Sequence, residues 1–422
     1  MSVSSDHGHS QSEVSDTGVD PIVGTTTSPG TVAEVGLAAL KLGLTSFGGP
    51  IAHLGYYRDE YVLKRRWLDD ATYAELVALC QFLPGPASTQ VGIGIGTLRA
   101  GMPGGLAAWL GFTLPSAILM TAFAFGVQRF DVGNSGWVHG LKIVAVAVVA
   151  QAVWGMARQF CTDRLRASLA LLAALIVLLT PTALAQVGVI AGAAVIGWRF
   201  VPVSPALATG THQPVALSRR VGLTSLLLFV ALLVVLPLLA ANNSGGGFDL
   251  ADRFYRVGAL VFGGGHVVLP LLQTQVVATG WVTDSQFLAG YGAAQAMPGP
   301  LFTFSAFLGA IRAPAPNGVP GAVVAVAALF LPSFLLVWGA LPFWNGLRAR
   351  PFFRGALAGI NAAVVGILLA ALYTPVWTSA IVRTTDFALA LVCSGLLMIW
   401  QWPPWRVVIV AALGGQLLAV AF

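Results

Sequence analysis

The chain has 422 residues, 57% of them hydrophobic and only 9% charged, whereas an ordinary soluble domain carries about 25% charged residues. So few charges cannot cover a soluble surface of this size, so lipid must be the solvent for most of the chain. The formal net charge of +6 is spread over short loops between apolar runs, which argues against a nucleic-acid-binding face and fits the positive-inside rule.

Residues 1–30 are polar and rich in Ser, Thr and Gly, with acids but no Lys or Arg. They lack the basic start and apolar core of a signal peptide and read as a disordered tail. Apolar runs of spanning length follow near 104–127, 136–159, 221–240, 320–344 and 355–377. Two paired runs, 166–181 with 183–199 and 385–401 with 404–422, read as helical hairpins turned at Pro181 and at Pro403-Pro404. The expectation is an all-α integral membrane protein, a polytopic bundle of roughly 10–12 transmembrane helices.

The chain repeats itself. Phe47-Gly48-Gly49 returns as Phe262-Gly263-Gly264, and Trp67 as Trp281. Gln81-Phe82-Leu83-Pro84-Gly85-Pro86 returns as Gln295-Ala296-Met297-Pro298-Gly299-Pro300. Gly96-Thr97-Leu98-Arg99-Ala100 matches Gly309-Ala310-Ile311-Arg312-Ala313, and Leu114-Pro115-Ser116 matches Leu331-Pro332-Ser333. Five landmarks in one order divide the chain into a first repeat (31–200), a linker (201–220) and a second repeat with an extra leading helix (221–422). Duplicated halves point to a secondary transporter with its site where the halves meet. If the segments ending at Phe-Gly-Gly turn back instead of crossing, the halves are inverted and most Arg and Lys fall on one side; inverted halves are the expectation.

Each Pro-Gly-Pro breaks its helix, because proline lacks a donor and clashes with the preceding turn. Broken backbone survives in a membrane only where it is buried in protein or lines a cavity. The helix restarting after Pro86 or Pro300 aims free N–H groups and the positive end of its dipole into that space. Ser88 adds a hydroxyl, with Thr89, and Thr303 and Ser305 follow the second break. Paired glycines at Phe47-Gly48-Gly49 and Phe262-Gly263-Gly264 permit close backbone approach. Gln81 and Gln295 lead into the breaks, and the paired cations Lys41 with Arg256 and Arg99 with Arg312 complete the substrate-binding candidates. Proton-coupling candidates are Glu34, His53, Glu60, Glu75 and His266; His139 and His212 read as loop residues. Cys80, Cys161 and Cys393 are too scattered for a disulfide framework or zinc site. No metal, no cofactor and no enzymatic nucleophile with a partnered base is expected.

These strings, from Phe47 through Pro86 and from Phe262 through Pro300, resemble the chromate ion transporter family in its long two-domain form, over roughly residues 33–422. The resemblance implies export of chromate across the bacterial plasma membrane and resistance to it, with the bilayer and the oxyanion as partners and room for a homodimer. Sulfate, of the same charge and shape, is the alternative substrate, and an anion channel ranks lower. The second copy departs at Gly265, which stands for Pro50, and at Val268, which stands for His53.

Overall fold

The structure is a computed structural model that describes residues 30–421, apart from 48, 130–134, 181, 202–216, 242–243, 263–267 and 345–350. Most of the polar tail and linker, and the site candidates Gly48, Gly263, Gly264 and His266, lie outside the described residues.

The described chain is helical throughout. The first half comprises α1 (Val32–Thr45), α2 (Gly49–Tyr57) with a wide-turn extension Arg58–Lys64, α3 (Asp70–Phe82), α4 (Ala87–Arg129), α5 (Gly136–Phe160), α6 (Arg164–Leu179) and α7 (Ala183–Phe200). α4 is bent at Ala100-Gly101, where Gly101 has φ +68°, giving a short arm (87–99) and a long arm (102–129). After α8 (Arg219–Ala241) come α9 (Gly247–Leu260), α10 (Val268–Val276), α11 (Asp284–Ala294), α12 (Phe304–Ile311) and α13 (Gly318–Ala340). α14 (Pro351–Ala371), α15 (Thr384–Met398) and α16 (Pro404–Ala421) close the chain. Among the described residues, five helical stretches are long and apolar enough to cross a membrane, and they coincide with the five long runs read from the sequence. Both paired runs are helical hairpins, α6–α7 and α15–α16.

The segments ending at Phe-Gly-Gly turn back. Lys41 on α1 bonds Glu60 beyond α2 at 2.8 Å, and Trp67 Nε1 donates to Glu34 in the first turn of α1. The chain therefore returns beside the start of α1, and α1–α2 is a re-entrant hairpin, with Phe47 after the end of α1 and Gly49 opening α2. α3 and the short arm of α4 form a second hairpin with its tip at Pro84-Gly85-Pro86, because Arg99 ends the arm beside Glu34, 3.4 Å away. The second half repeats this: Arg253 on α9 reaches the Gln275 carbonyl on α10, and Arg312 after α12 reaches the Gly245 carbonyl before α9.

The long arm of α4 then carries the chain to the other face, where Gln128 Nε2 donates to the Ile311 carbonyl at the end of α12. The two sets of re-entrant hairpins thus enter from opposite faces, and the halves are inverted. The peripheral hairpins are exchanged between halves. α16 packs on α5 with Gly136 against Gly415 and Gly140 against Ala411, and α7 packs on α14 with Gly355 against Gly197 and Gly359 against Ala193. Residues without side chains, or with one methyl, let these backbones touch, and each contact has its counterpart in the other half.

Candidate functional site

The two Pro-Gly-Pro tips meet the ends of α1 and α9 at one crossing. The Gly85 N–H donates to the Val261 carbonyl at 2.7 Å, just before Phe262, and the Gly299 N–H donates to the Ser46 carbonyl at 2.9 Å, just before Phe47. Each Pro-Gly-Pro tip is thereby joined to the C-terminal end of α9 or α1 in the opposite half. Both glycines hold positive φ, +125° and +89°, which turns their N–H groups across the interface. The mid-helix serines close the figure: a Cβ built on Gly85 would lie 3.0 Å from Ser333 Oγ, and one on Gly299 would lie 3.0 Å from Ser116 Oγ.

Polar atoms without protein partners gather here. Ser46 Oγ, His53 Nε2, Thr89 Oγ1, Gln90 Oε1, Thr113 Oγ1, Gln295 Nε2 and Ser333 Oγ are buried and unpartnered. An unsatisfied buried polar group costs about 1–3 kcal/mol, so a cluster of them marks a place built for a ligand or water. The first turn of α4 leaves its leading N–H groups without intrahelical partners, beside the Ser88 and Thr89 hydroxyls. Gln90 Nε2 takes the Pro84 carbonyl that the break releases, at 2.7 Å.

The halves differ in what they offer. In the second, Thr303 and Ser305 hydroxyls donate to their own backbone, to Pro300 and Phe302 carbonyls at 2.8 Å each. In the first, Ser88 Oγ lies 3.3 Å from His53 Nδ1, whose ring stands edge-on to Phe112. His53 is 1% exposed, and Tyr57, one turn on along α2, carries another unpartnered buried hydroxyl. The open donors of the crossing thus come mainly from the first half.

The cation candidates lie elsewhere. Arg99 and Arg312 sit at the far ends of the restarted helices; for Arg99, twelve residues at 1.5 Å each put it about 18 Å from the tip. Arg99 stacks over Trp67, its centroid 5.2 Å away, and pairs with Glu34; Arg312, 1% exposed, stacks over Trp281 at 3.8 Å. Lys41 is held by Glu60, and Arg256 is paired with Asp252 on its own helix. Burial pushes the Glu60 carboxyl up, but hydrogen bonds from Lys41 and Arg65 outweigh it and leave the group below its ordinary value. Gln81 is exposed at the end of α3, Glu75 is partly exposed on α3, and Phe47 faces Trp405 at 6.1 Å. Pro86, Pro298 and Pro300 are buried at the tips.

Ser46 was not among the site candidates, and Ser116 and Ser333 entered only as repeat landmarks. The signal for the serines was present, since a proline beside a serine in the middle of a spanning helix, duplicated, marks a second polar notch. His139 is not a loop residue: it lies in the first turns of α5 and pairs with Asp386.

A family model described as "Chromate transporter" matches residues 33–198 and 248–416. The chain is 29% identical over 380 residues to the chromate transport protein of Cupriavidus metallidurans, covering 87% of this chain and 88% of that one. It is 27% identical over 416 residues to the chromate transport protein of Pseudomonas aeruginosa, covering 95% and 94%. The probable chromate transport protein of Synechococcus elongatus is 29% identical over 340 residues, 79% of this chain and 81% of its own. No solved structure gives a match.

Proposed function

This chain belongs to the chromate transporter family, and on that premise we propose that it is a secondary transporter that exports chromate across the bacterial plasma membrane and so confers resistance to it. The observation that carries the reading is the reciprocal crossing, in which Gly85 and Gly299 tie each broken helix to the opposite half beside a cluster of unpartnered hydroxyls. Rigid hairpins entering from opposite faces are suited to alternating access: parting one pair of tips opens the crossing to one face only.

Charge decides how the ion is held. Among the described residues the crossing has no Lys or Arg, so the helix N-termini, each worth about +0.5 charge, offset about one unit of a dianion. The second unit falls to a proton, either on the anion or on His53, the titratable group placed against Ser88. Glu34, Glu60 and Glu75 lie toward the face where α1 begins, outside the crossing. In this reading Ser88, Thr89, Ser46 and Ser333 bind the oxyanion, His53 takes the proton, and Arg99 and Arg312 fix the outer ends of the hairpins. Lys64, Arg65, Arg66, Arg158, Arg164, Arg166, Arg199, Arg219, Arg220 and Arg354 gather on the face where α1 begins. Arg129, Arg253, Arg312 and Arg383 lie on the opposite one, and the positive-inside rule makes the first face cytoplasmic.

Hydroxyls and N–H groups recognise a tetrahedral dianion by shape and charge, which leaves sulfate as the second reading. The test is uptake of labelled chromate and labelled sulfate into everted vesicles under an imposed proton gradient. Chromate accumulation above that of vesicles lacking the protein is expected, with loss on adding an uncoupler. Sulfate accumulation without chromate would transfer the function to the alternative, and movement of neither ion would remove the transport reading.

A further inference from the structure

A second cluster of titratable groups lies on the face opposite the basic one. His139 Nε2 on α5 is 3.0 Å from Asp386 Oδ1 in the first turn of α15, and Asp386 is 3% exposed. The other Asp386 oxygen accepts the Val382 and Arg383 N–H groups at 3.1 and 2.8 Å. One turn along α5, Lys142 is within electrostatic reach of Asp386, and its Nζ donates to Ser285 Oγ at 3.0 Å. Ser285 lies in the first turn of α11, the arm that runs to Pro298-Gly299-Pro300. α16 also packs against this part of α5 and offers the neutral Gln416 to the Trp137 N–H, and the long arm of α4 brings Phe123 to 6.2 Å from Trp137. Asp284, exposed beside Ser285, is the next acid along α11.

A helix-capping acid needs only the two N–H bonds that Asp386 already has. Its burial against an imidazole and near an ammonium goes beyond capping, since a buried carboxylate is stable only with such partners. The arrangement is also one-sided. In the matching glycine crossing of the other half, Gly359 stands where Gly140 does, so Ala358 and Asn361 occupy the places of His139 and Lys142. We propose that His139 and Asp386, with Lys142, form a proton-binding station on the non-cytoplasmic face, and that Lys142–Ser285 passes its occupancy to the α11–α12 hairpin. The proposal rests on the transport reading above and adds where the driving proton enters: on the face from which an inward proton gradient delivers it.

The experiment uses the purified full chain in detergent. Histidine nitrogen NMR is recorded without substrate from pH 5 to 8, and chromate affinity is measured by tryptophan quenching over the same range. In the wild type, one of the titrating imidazole signals of the six histidines should vanish in His139→Gln and move in Asp386→Asn. The slope of chromate affinity with pH should be steeper in the wild type than in either variant, by at most about tenfold per pH unit, the limit for one linked proton; the slope left in the variants belongs to the anion and His53. Ser285→Ala should keep the titrating signal and lower the slope of affinity with pH as far as His139→Gln does, which a merely structural pair would not do. A His139 signal that does not titrate, or wild-type pH dependence in His139→Gln, would overturn the station. Absence of chromate binding at every pH would count against the transport reading instead, and the substrate-free titration would still decide the station.

Discussion

Gly85 and Gly299 show how much a single backbone angle carries. Each holds a positive φ that an L side chain adopts at a cost of about 1–2 kcal/mol, and each has an oxygen 3.0 Å from where a Cβ would stand. Gly85→Ala and Gly299→Ala are therefore expected to reach the membrane but lose most chromate transport in vesicles. Full activity in both would mean that the crossing does not bear on transport. Glu60 makes a different kind of prediction. Its folded value lies below the ordinary 4.5, so its contribution to stability is present above that value and is lost as pH falls through the folded one. Melting in detergent should show an acid limb below about pH 4.5 that shrinks in Glu60→Gln, and an unchanged limb would remove Glu60 as its source.

At the scale of elements, the exchanged hairpins depend on close backbone contact. A side chain at Gly140 would run into the Ala411 backbone, and one at Gly359 into Ala193. Overpacking of this kind costs roughly 1–3 kcal/mol, so Gly140→Val and Gly359→Val should each lower the melting temperature by several degrees. Because the two contacts are equivalent, the losses should be similar; a large loss at one and none at the other would show that only one hairpin is held this way. The helix breaks follow the opposite rule. α4 continues through Pro115 as a long arm, but α3 cannot run on into α4 across Pro84-Gly85-Pro86, because two prolines flanking a positive-φ glycine leave no route for the helical ladder.

Across the whole molecule, inversion places equivalent loops on opposite sides of the bilayer. With native cysteines replaced, a cysteine at Asn317 should react with an impermeant thiol reagent on intact cells, whereas one at Thr162 should react only after lysis. Reaction of both in intact cells would contradict the topology. Much of this architecture was legible in the amino-acid order. The five long apolar runs, the two hairpins and the duplicated Phe-Gly-Gly and Pro-Gly-Pro strings needed nothing more, since apolar length and proline chemistry act locally. The partners of the paired cations were not legible. Arg99 and Arg312 match across the halves in sequence, but their matched partners are Trp67 with Glu34 and Trp281 at the outer ends of the hairpins, set by helix length and not by proximity to the break.

The sequence by itself determined that this is a two-fold repeated helical membrane protein, where its helices break, and which family it belongs to. Composition, hydropathy and proline positions are properties of short stretches. Only the tertiary structure decided that the Phe-Gly-Gly segments turn back, that each Pro-Gly-Pro tip bonds the opposite half, and that His139 meets Asp386 across some 250 residues of chain. Those pairings arise from inverted packing, in which a residue's neighbour is fixed by the depth at which its helix ends, and depth is not written in any local pattern.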